Sequence, residues 1–111
     1  MTFRWKTYKR FLEDCPAKAS GVYLIRETGV LGAVVYVGES HSDRLKQTAQ
    51  RHFQRWSGPT SGPTYSQSGT LVAFIKSRKE NAVELQNALI EDLRPRDNTQ
   101  GKPEWALTLI G

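Results

Sequence analysis

Tyr23 and Tyr36 sit one in each arm of "GVYLIRETGVLGAVVYVGES", Gly21 to Ser40. Downstream, Arg44, Arg51 and Arg55 recur at near-helical spacing with His52 among them, and Gln86 breaks an otherwise apolar stripe. These residue types can do chemistry. A tyrosine hydroxyl both donates and accepts hydrogen bonds. Its free pKa is about 10, so it works as a base only where nearby positive charge stabilises the phenolate. Arginines along one helix flank suit phosphate oxygens. The same residues also read as half-buried strand tyrosines and a solvated helix face. The two tyrosines alone do not separate those readings.

The elements that must position them can be read from periodicity. Gly21–Glu27 and Ala33–Gly38 are runs of β-formers, and "TGVLG" between them supplies turn glycines, which predicts a β-hairpin. Alternation puts Tyr23 on one face with Gly21 and Ile25, and Tyr36 on one face with Val34 and Gly38. Both tyrosines can share a hairpin face. Leu45, Ala49, Phe53 and Trp56 predict an amphipathic helix over about 43–56, capped by Ser42 or Asp43, with Arg44, Thr48, Arg51 and Arg55 on its basic flank. His41 reads as a loop residue. Residues 57–70 repeat the tetrapeptide SGPT and predict a flexible loop in which Tyr65 is the only large side chain.

"LVAFIK", Leu71–Lys76, predicts a third strand, and Ser77 with Glu80 a capping box for a helix that ends near Pro95. The stripe of that helix runs through Val83, Leu89, Ile90 and Leu93, with Gln86 completing it. Glu84 is turned to the outer face. The tail "PEWALTLIG" reads as an edge strand or extended cover. The order strand, strand, helix, strand, helix predicts an α/β (α+β) domain with a small sheet and flanking helices.

The chain has 111 residues, enough for one domain spanning 1–111. At 38% hydrophobic and 24% charged, it is too apolar for a disordered chain. Residues 1–19 form a basic and aromatic extension in which a short helix over Thr7–Asp14 is expected. Its rings are expected to pack on the domain. A net charge of +5 favours a polyanionic partner. With Cys15 as the one cysteine, there is no intrachain disulfide and no cysteine-based zinc site. A reducing, cytoplasmic location is the expectation, nucleoid-associated in a bacterium. No stretch is long and apolar enough for a membrane span.

"GVY" and "YVG" on a hairpin, followed by "DRLKQTAQRHF", "LVAFIK", "AVELQNALIEDL" and "RPRDN", resemble the GIY-YIG nuclease superfamily over about residues 20–98. The resemblance implies a small three-stranded antiparallel sheet in the order β-β-α-β-α. It also implies a metal-dependent endonuclease that hydrolyses phosphodiester bonds of DNA with one Mg2+ or Mn2+. Tyr23 then matches the general base or water-positioning tyrosine, and Tyr36 orients water or phosphate. Gly38 allows close approach of substrate.

Anchoring on "RL" makes Arg44 the transition-state contact, and anchoring on "HF" brings in His52 to support or polarise Tyr36. Arg51 is the spare arginine, Arg55 a phosphate contact, and Asn98 a supporting residue. Gln86 occupies the place of the family's metal-binding glutamate, and Glu84 is the substitute carboxylate. An amide oxygen brings no charge to a hard cation. Three readings follow: an enzyme that still binds its metal weakly, a Glu→Gln inactivated form that traps intact substrate, and a domain of this type that binds nucleic acid without cutting. In each case the expected partner is DNA, branched or site-specific. The oligomeric state is left open.

Overall fold

Three runs of β-forming residues make the frame. The computed structural model describes residues 2–29, 32–54 and 62–99. Strands β1 (Gly21–Glu27), β2 (Val34–Ser40) and β3 (Thr70–Lys76) form an antiparallel sheet in the order β2-β1-β3. Helices α1 (Tyr8–Asp14), α2 (Leu45–Gln50) and α3 (Lys79–Leu93) complete the described order α-β-β-α-β-α, an α+β fold. Among the described residues, no helix is long and apolar enough to cross a membrane.

β1 is central, so Val22, Tyr23, Leu24 and Ile25 are all buried. Alternation along β1 divides the core in two. Tyr23 and Ile25 face α1 and α2, with Tyr8, Phe11, Leu45, Ala49 and Phe53. Val22 and Leu24 face α3, through Leu85, Leu89, Ile90 and Leu93, with Phe3 and Trp5 of the N-terminal arm. The arm's rings therefore pack on the domain, and Lys6 bridges to Val72 of β3. Thr7 caps α1 by accepting a hydrogen bond from the Arg10 N–H. Gly21 enters the sheet at φ +148°, and a Cβ there would overlap the Ile75 carbonyl oxygen.

Four local expectations are corrected. First, the hairpin register shifts between Ile25 and Arg26, so Tyr36 pairs with Ile25 while Val34 pairs with Arg26. The bulge at Val35 sends Val34 to the α3 side, off the face that Tyr36 occupies. Second, the basic helix starts later than 43 and stops sooner than 56. Asp43 is left-handed at φ 60°, and the Ser40 hydroxyl accepts the Arg44 N–H, so α2 opens at Leu45. It tightens into a 3-10 turn over Arg51–Phe53, and Gln54 is extended.

Third, α3 has no capping box. Its N-cap is Arg78, without a side-chain cap bond, and the Ser77 hydroxyl donates to the Arg78 carbonyl instead. Fourth, the buried stripe of α3 runs through Ala82 and Leu89, while Val83 is 43% exposed. α3 does end as expected, with left-handed Arg94 before buried Pro95. Trp56, the start of the SGPT loop and the expected tail strand lie outside the described residues.

Candidate active site

The face of β1 and β2 that looks toward α2 brings Tyr23, Tyr36 and His52 together. Tyr23 pairs across the hairpin with Gly38, and the missing Cβ of Gly38 is where the Tyr23 ring and hydroxyl lie. The space expected to admit substrate thus admits the phenol of the neighbouring strand. Tyr23 is 1% exposed, and so is His52. Their side chains meet at 2.8 Å, hydroxyl to Nε2.

The direction of that bond follows from the other ring nitrogen. His52 Nδ1 lies 2.7 Å from the Pro63 carbonyl oxygen, which can only accept. Nδ1 therefore carries the proton, Nε2 presents its lone pair, and Tyr23 donates. Burial holds the His52 pKa below its ordinary value, with the Pro63 carbonyl pulling the other way, so the ring rests neutral. His52 was expected to serve Tyr36. Its hydrogen bond goes to Tyr23, and Tyr36 meets it through its ring, with centroids 4.5 Å apart.

The two tyrosines differ in what surrounds them. Burial pushes Tyr23 well above the ordinary tyrosine value, and Tyr36, Glu39 and Tyr65 raise it further. Tyr36 is half-buried; burial raises it too, but the Tyr23 hydroxyl opposes the rise. Three neutral groups thus run inward from the surface: Tyr36, Tyr23, His52. A proton delivered to the Tyr23 oxygen can displace the proton that Tyr23 already donates to Nε2. The site then takes up one proton without forming a buried phenolate.

Two residues hold this arrangement that sequence reasoning did not single out. Tyr65 donates its N–H to the His52 carbonyl at 2.6 Å, and its hydroxyl donates to the Asp97 carboxylate at 2.6 Å. The described part of the loop, 62–69, is thereby tied to the back of His52. A usable signal was present, since Tyr65 is the one bulky residue in a Ser/Gly/Pro/Thr run. Asp97 is 4% exposed and also accepts from Arg96, which reaches Glu27 at 2.6 Å. The Arg96 guanidinium, then burial in opposition, holds the Asp97 carboxyl below its ordinary range. A cleft of about 520 Å³ opens here, lined by Glu27, Tyr65, Arg96 and Asp97.

The remaining expected residues are placed as follows. Asn98 clamps the outer edge of β2. Its amide oxygen accepts from the Val37 N–H at 2.8 Å and its amide nitrogen donates to the Val37 carbonyl at 2.8 Å. Arg44 stands at the N-cap of α2 with its side chain exposed, and Arg51 is exposed on the 3-10 turn beside His52. Arg55 lies outside the described residues. Cys15 is buried, and burial pushes its thiol up to about 11, so it is no nucleophile.

Gln86 and Glu84 lie on α3, which packs on the other face of the sheet from Tyr23. Gln86 is half-buried, and its amide nitrogen points to Asn87 at 3.4 Å. Glu84 is exposed, as expected. Among the described residues no three of His, Cys, Asp and Glu converge as metal ligands. The neutral amide of Gln86 does not by itself fit a hard dication, which wants anionic oxygen. Among the described residues, the donor set therefore does not make an Mg2+ or Mn2+ site.

No family model matches this chain, and no curated protein matches it.

Proposed function

We propose that this chain is a DNA phosphodiester hydrolase of the GIY-YIG type. The observation that carries the reading is the buried Tyr23–His52 hydrogen bond, oriented by the Pro63 carbonyl, beneath half-buried Tyr36. Phosphodiester hydrolysis needs a water oriented in line, a place for its proton, and positive charge for the phosphorane-like transition state. Tyr36 orients the water or a phosphate oxygen. The water's proton passes to the Tyr23 oxygen as Tyr23 gives its own to His52. The imidazolium so formed is disfavoured by burial, and the growing negative charge of the substrate offsets that cost. As the water oxygen bonds to phosphorus the P–O bond to the leaving sugar oxygen breaks; that oxygen takes a proton from solvent, and His52 returns its proton through Tyr23 to solvent. Arg44, with Arg51 as the alternative, neutralises that charge. No step is assigned to a metal ion.

The test is nicking of supercoiled plasmid by the purified protein. Tyr23→Phe removes the relay and is expected to lower the rate by about 10²–10⁴, the range of general acid–base contributions. A rate equal to wild type in Tyr23→Phe excludes the relay.

A second reading has its own support. Gln86 supplies an amide where the resemblance implies a carboxylate. In that reading the domain grips DNA without cutting, and the wild-type protein binds duplex but nicks under no metal condition.

A further inference from the structure

Six cations that are scattered in sequence meet at one end of the sheet. Gly21 of β1 pairs with Ser40 of β2 on one side and with Lys76 of β3 on the other, so these three residues mark that end. The Ser77 N–H donates to the Ser20 carbonyl, which brings the start of α3, with Arg78 and Lys79, alongside. Lys79 pairs with Asp43 at 2.9 Å, and Asp43 also accepts from the Ser20 hydroxyl and feels Lys18. Lys46 and Lys76 both act on Cys15, which places α2's first turn in the same neighbourhood. Arg44 joins through its N–H to Ser40. Lys18, Arg44, Lys76, Arg78 and Lys79 are exposed.

The other end of the sheet, where Glu27 pairs with Thr70, is different. There Arg96 is taken up by Glu27 and Asp97. The charge is therefore unevenly distributed along the strand direction, with Tyr36 between the two ends. A row of exposed cations from three chain segments fits the regular phosphates of a duplex.

We infer that the Lys18–Lys76–Arg78 end of the sheet is a duplex-DNA backbone tract, and that DNA bound at Tyr36 runs toward this end and away from Glu27. The inference rests on the proposed nucleic-acid function and adds the direction and the contacts of the substrate. These contacts are to phosphate, so they carry affinity and salt dependence and no sequence preference.

The experiment is fluorescence anisotropy of a labelled DNA duplex titrated with the full chain over a series of salt concentrations. Each phosphate contact contributes about 0.9 to the slope of log K against log salt. The triple variant Lys18→Gln, Lys76→Gln, Arg78→Gln is expected to lose between about 2 and 3 from that slope. Each single variant is expected to lose up to about 0.9.

Arg94→Gln removes the same charge at the far end of α3, about 22 Å along the helix axis from Lys79. It is expected to leave the slope unchanged. None of these three tract residues is in an ion pair among the described residues, and melting curves check that each variant is folded. A triple variant with the wild-type slope, or an Arg94→Gln slope that falls as much as a tract single, overturns the tract while leaving DNA binding standing. A wild-type chain that shows no salt-dependent DNA binding overturns the proposed function, and the tract with it.

Discussion

Gly38 and Tyr23 occupy the same cross-strand pair, and a Cβ on Gly38 would overlap the Tyr23 hydroxyl and the ring carbon that bears it. The glycine of "YVG" is therefore explained by the tyrosine of "GVY". Gly38→Ala must displace a ring that is 1% exposed and hydrogen-bonded to His52. Overpacking of this kind costs about 1–3 kcal/mol. Urea denaturation is expected to show a loss in that range, together with loss of nicking. A Gly38→Ala protein of wild-type stability would mean that the ring has room to move.

Removing the other partner tests the hydrogen bond itself. Tyr23→Phe keeps the ring in place and removes the hydroxyl from which buried His52 Nε2 accepts. An unsatisfied buried acceptor costs about 1–3 kcal/mol. Tyr36→Phe removes a half-buried hydroxyl that is hydrogen-bonded to the Tyr23 hydroxyl and leaves the Tyr23–His52 bond in place, so its stability loss is expected to be smaller while its nicking rate still falls. Chemical denaturation of the two variants side by side checks the order. Equal losses in stability would contradict the inward sequence Tyr36, Tyr23, His52.

His52 gives the fold a pH dependence of defined sign. Burial depresses its pKa below the ordinary 6.5, with the Pro63 carbonyl in opposition. As pH falls through 6.5 the unfolded chain gains a proton at this position before the folded chain does. The stabilisation is therefore complete above about 6.5, declines below it, and stops declining under the folded pKa, where both states are protonated. Within that window the slope contributed by one proton is at most about 1.4 kcal/mol per pH unit. Denaturation midpoints of wild type against His52→Gln, measured from neutral to mildly acidic pH, are expected to show the extra slope only in wild type. Nicking is expected to fall only at the bottom of that window, as pH drops through the folded His52 pKa, since a protonated Nε2 cannot accept from Tyr23.

The sequence-level reading succeeded where local pattern decides and failed where a second element decides. Strand alternation is local, so Tyr23, Ile25, Val22 and Leu24 were assignable to faces in advance. The Val35 bulge belongs to a pairing between strands, and it moved Val34 to the opposite face. The start of α2 depended on a left-handed Asp43 tied to Ser20, a contact 23 residues distant. In α3 the stripe was read through Val83, the larger apolar side chain. The sheet instead buries small Ala82.

At the candidate site, the order of tyrosine, tyrosine and histidine was legible from the motifs. Which tyrosine His52 serves was not, because the answer lies in Pro63 and Tyr65 folding back on the ring.

Position 86 separates cutting from binding. Glutamate is close to glutamine in volume, so Gln86→Glu on a half-buried helix margin is expected to leave stability within about 1 kcal/mol. It adds the anionic oxygen that a hard dication requires. If position 86 holds the metal, as the resemblance implies, plasmid nicking by Gln86→Glu rises at least about tenfold with Mn2+ or Mg2+ and returns to the wild-type level with a chelator, a change of about 1.4 kcal/mol in barrier; the metal-free relay through Tyr23 and His52, on the other face of the sheet, predicts no such gain. An unchanged, measurable rate in a folded variant would remove position 86 from the chemistry and favour the metal-free relay, whereas no nicking by either protein favours the binding reading.

Asn98 offers the most selective test, because one variant can remove both of its hydrogen bonds and another only the one it donates. Its side chain behaves as one more strand residue on the free edge of β2, accepting from and donating to Val37 between Tyr36 and Gly38. Asn98→Ala removes both bonds, and Asn98→Asp keeps the acceptor but turns a carboxylate oxygen toward the Val37 carbonyl. The alanine variant is therefore expected to lose protection of the Val37 amide against hydrogen exchange. The aspartate variant keeps that protection and is destabilised by repulsion at the carbonyl, by about 1–3 kcal/mol. In both, the strand that carries Tyr36 loses part of its edge restraint. The nicking rate should fall with binding affinity for duplex little changed, since Asn98 is committed to the backbone of β2. A large loss of affinity with normal Val37 protection in Asn98→Ala would instead make Asn98 a direct contact to DNA.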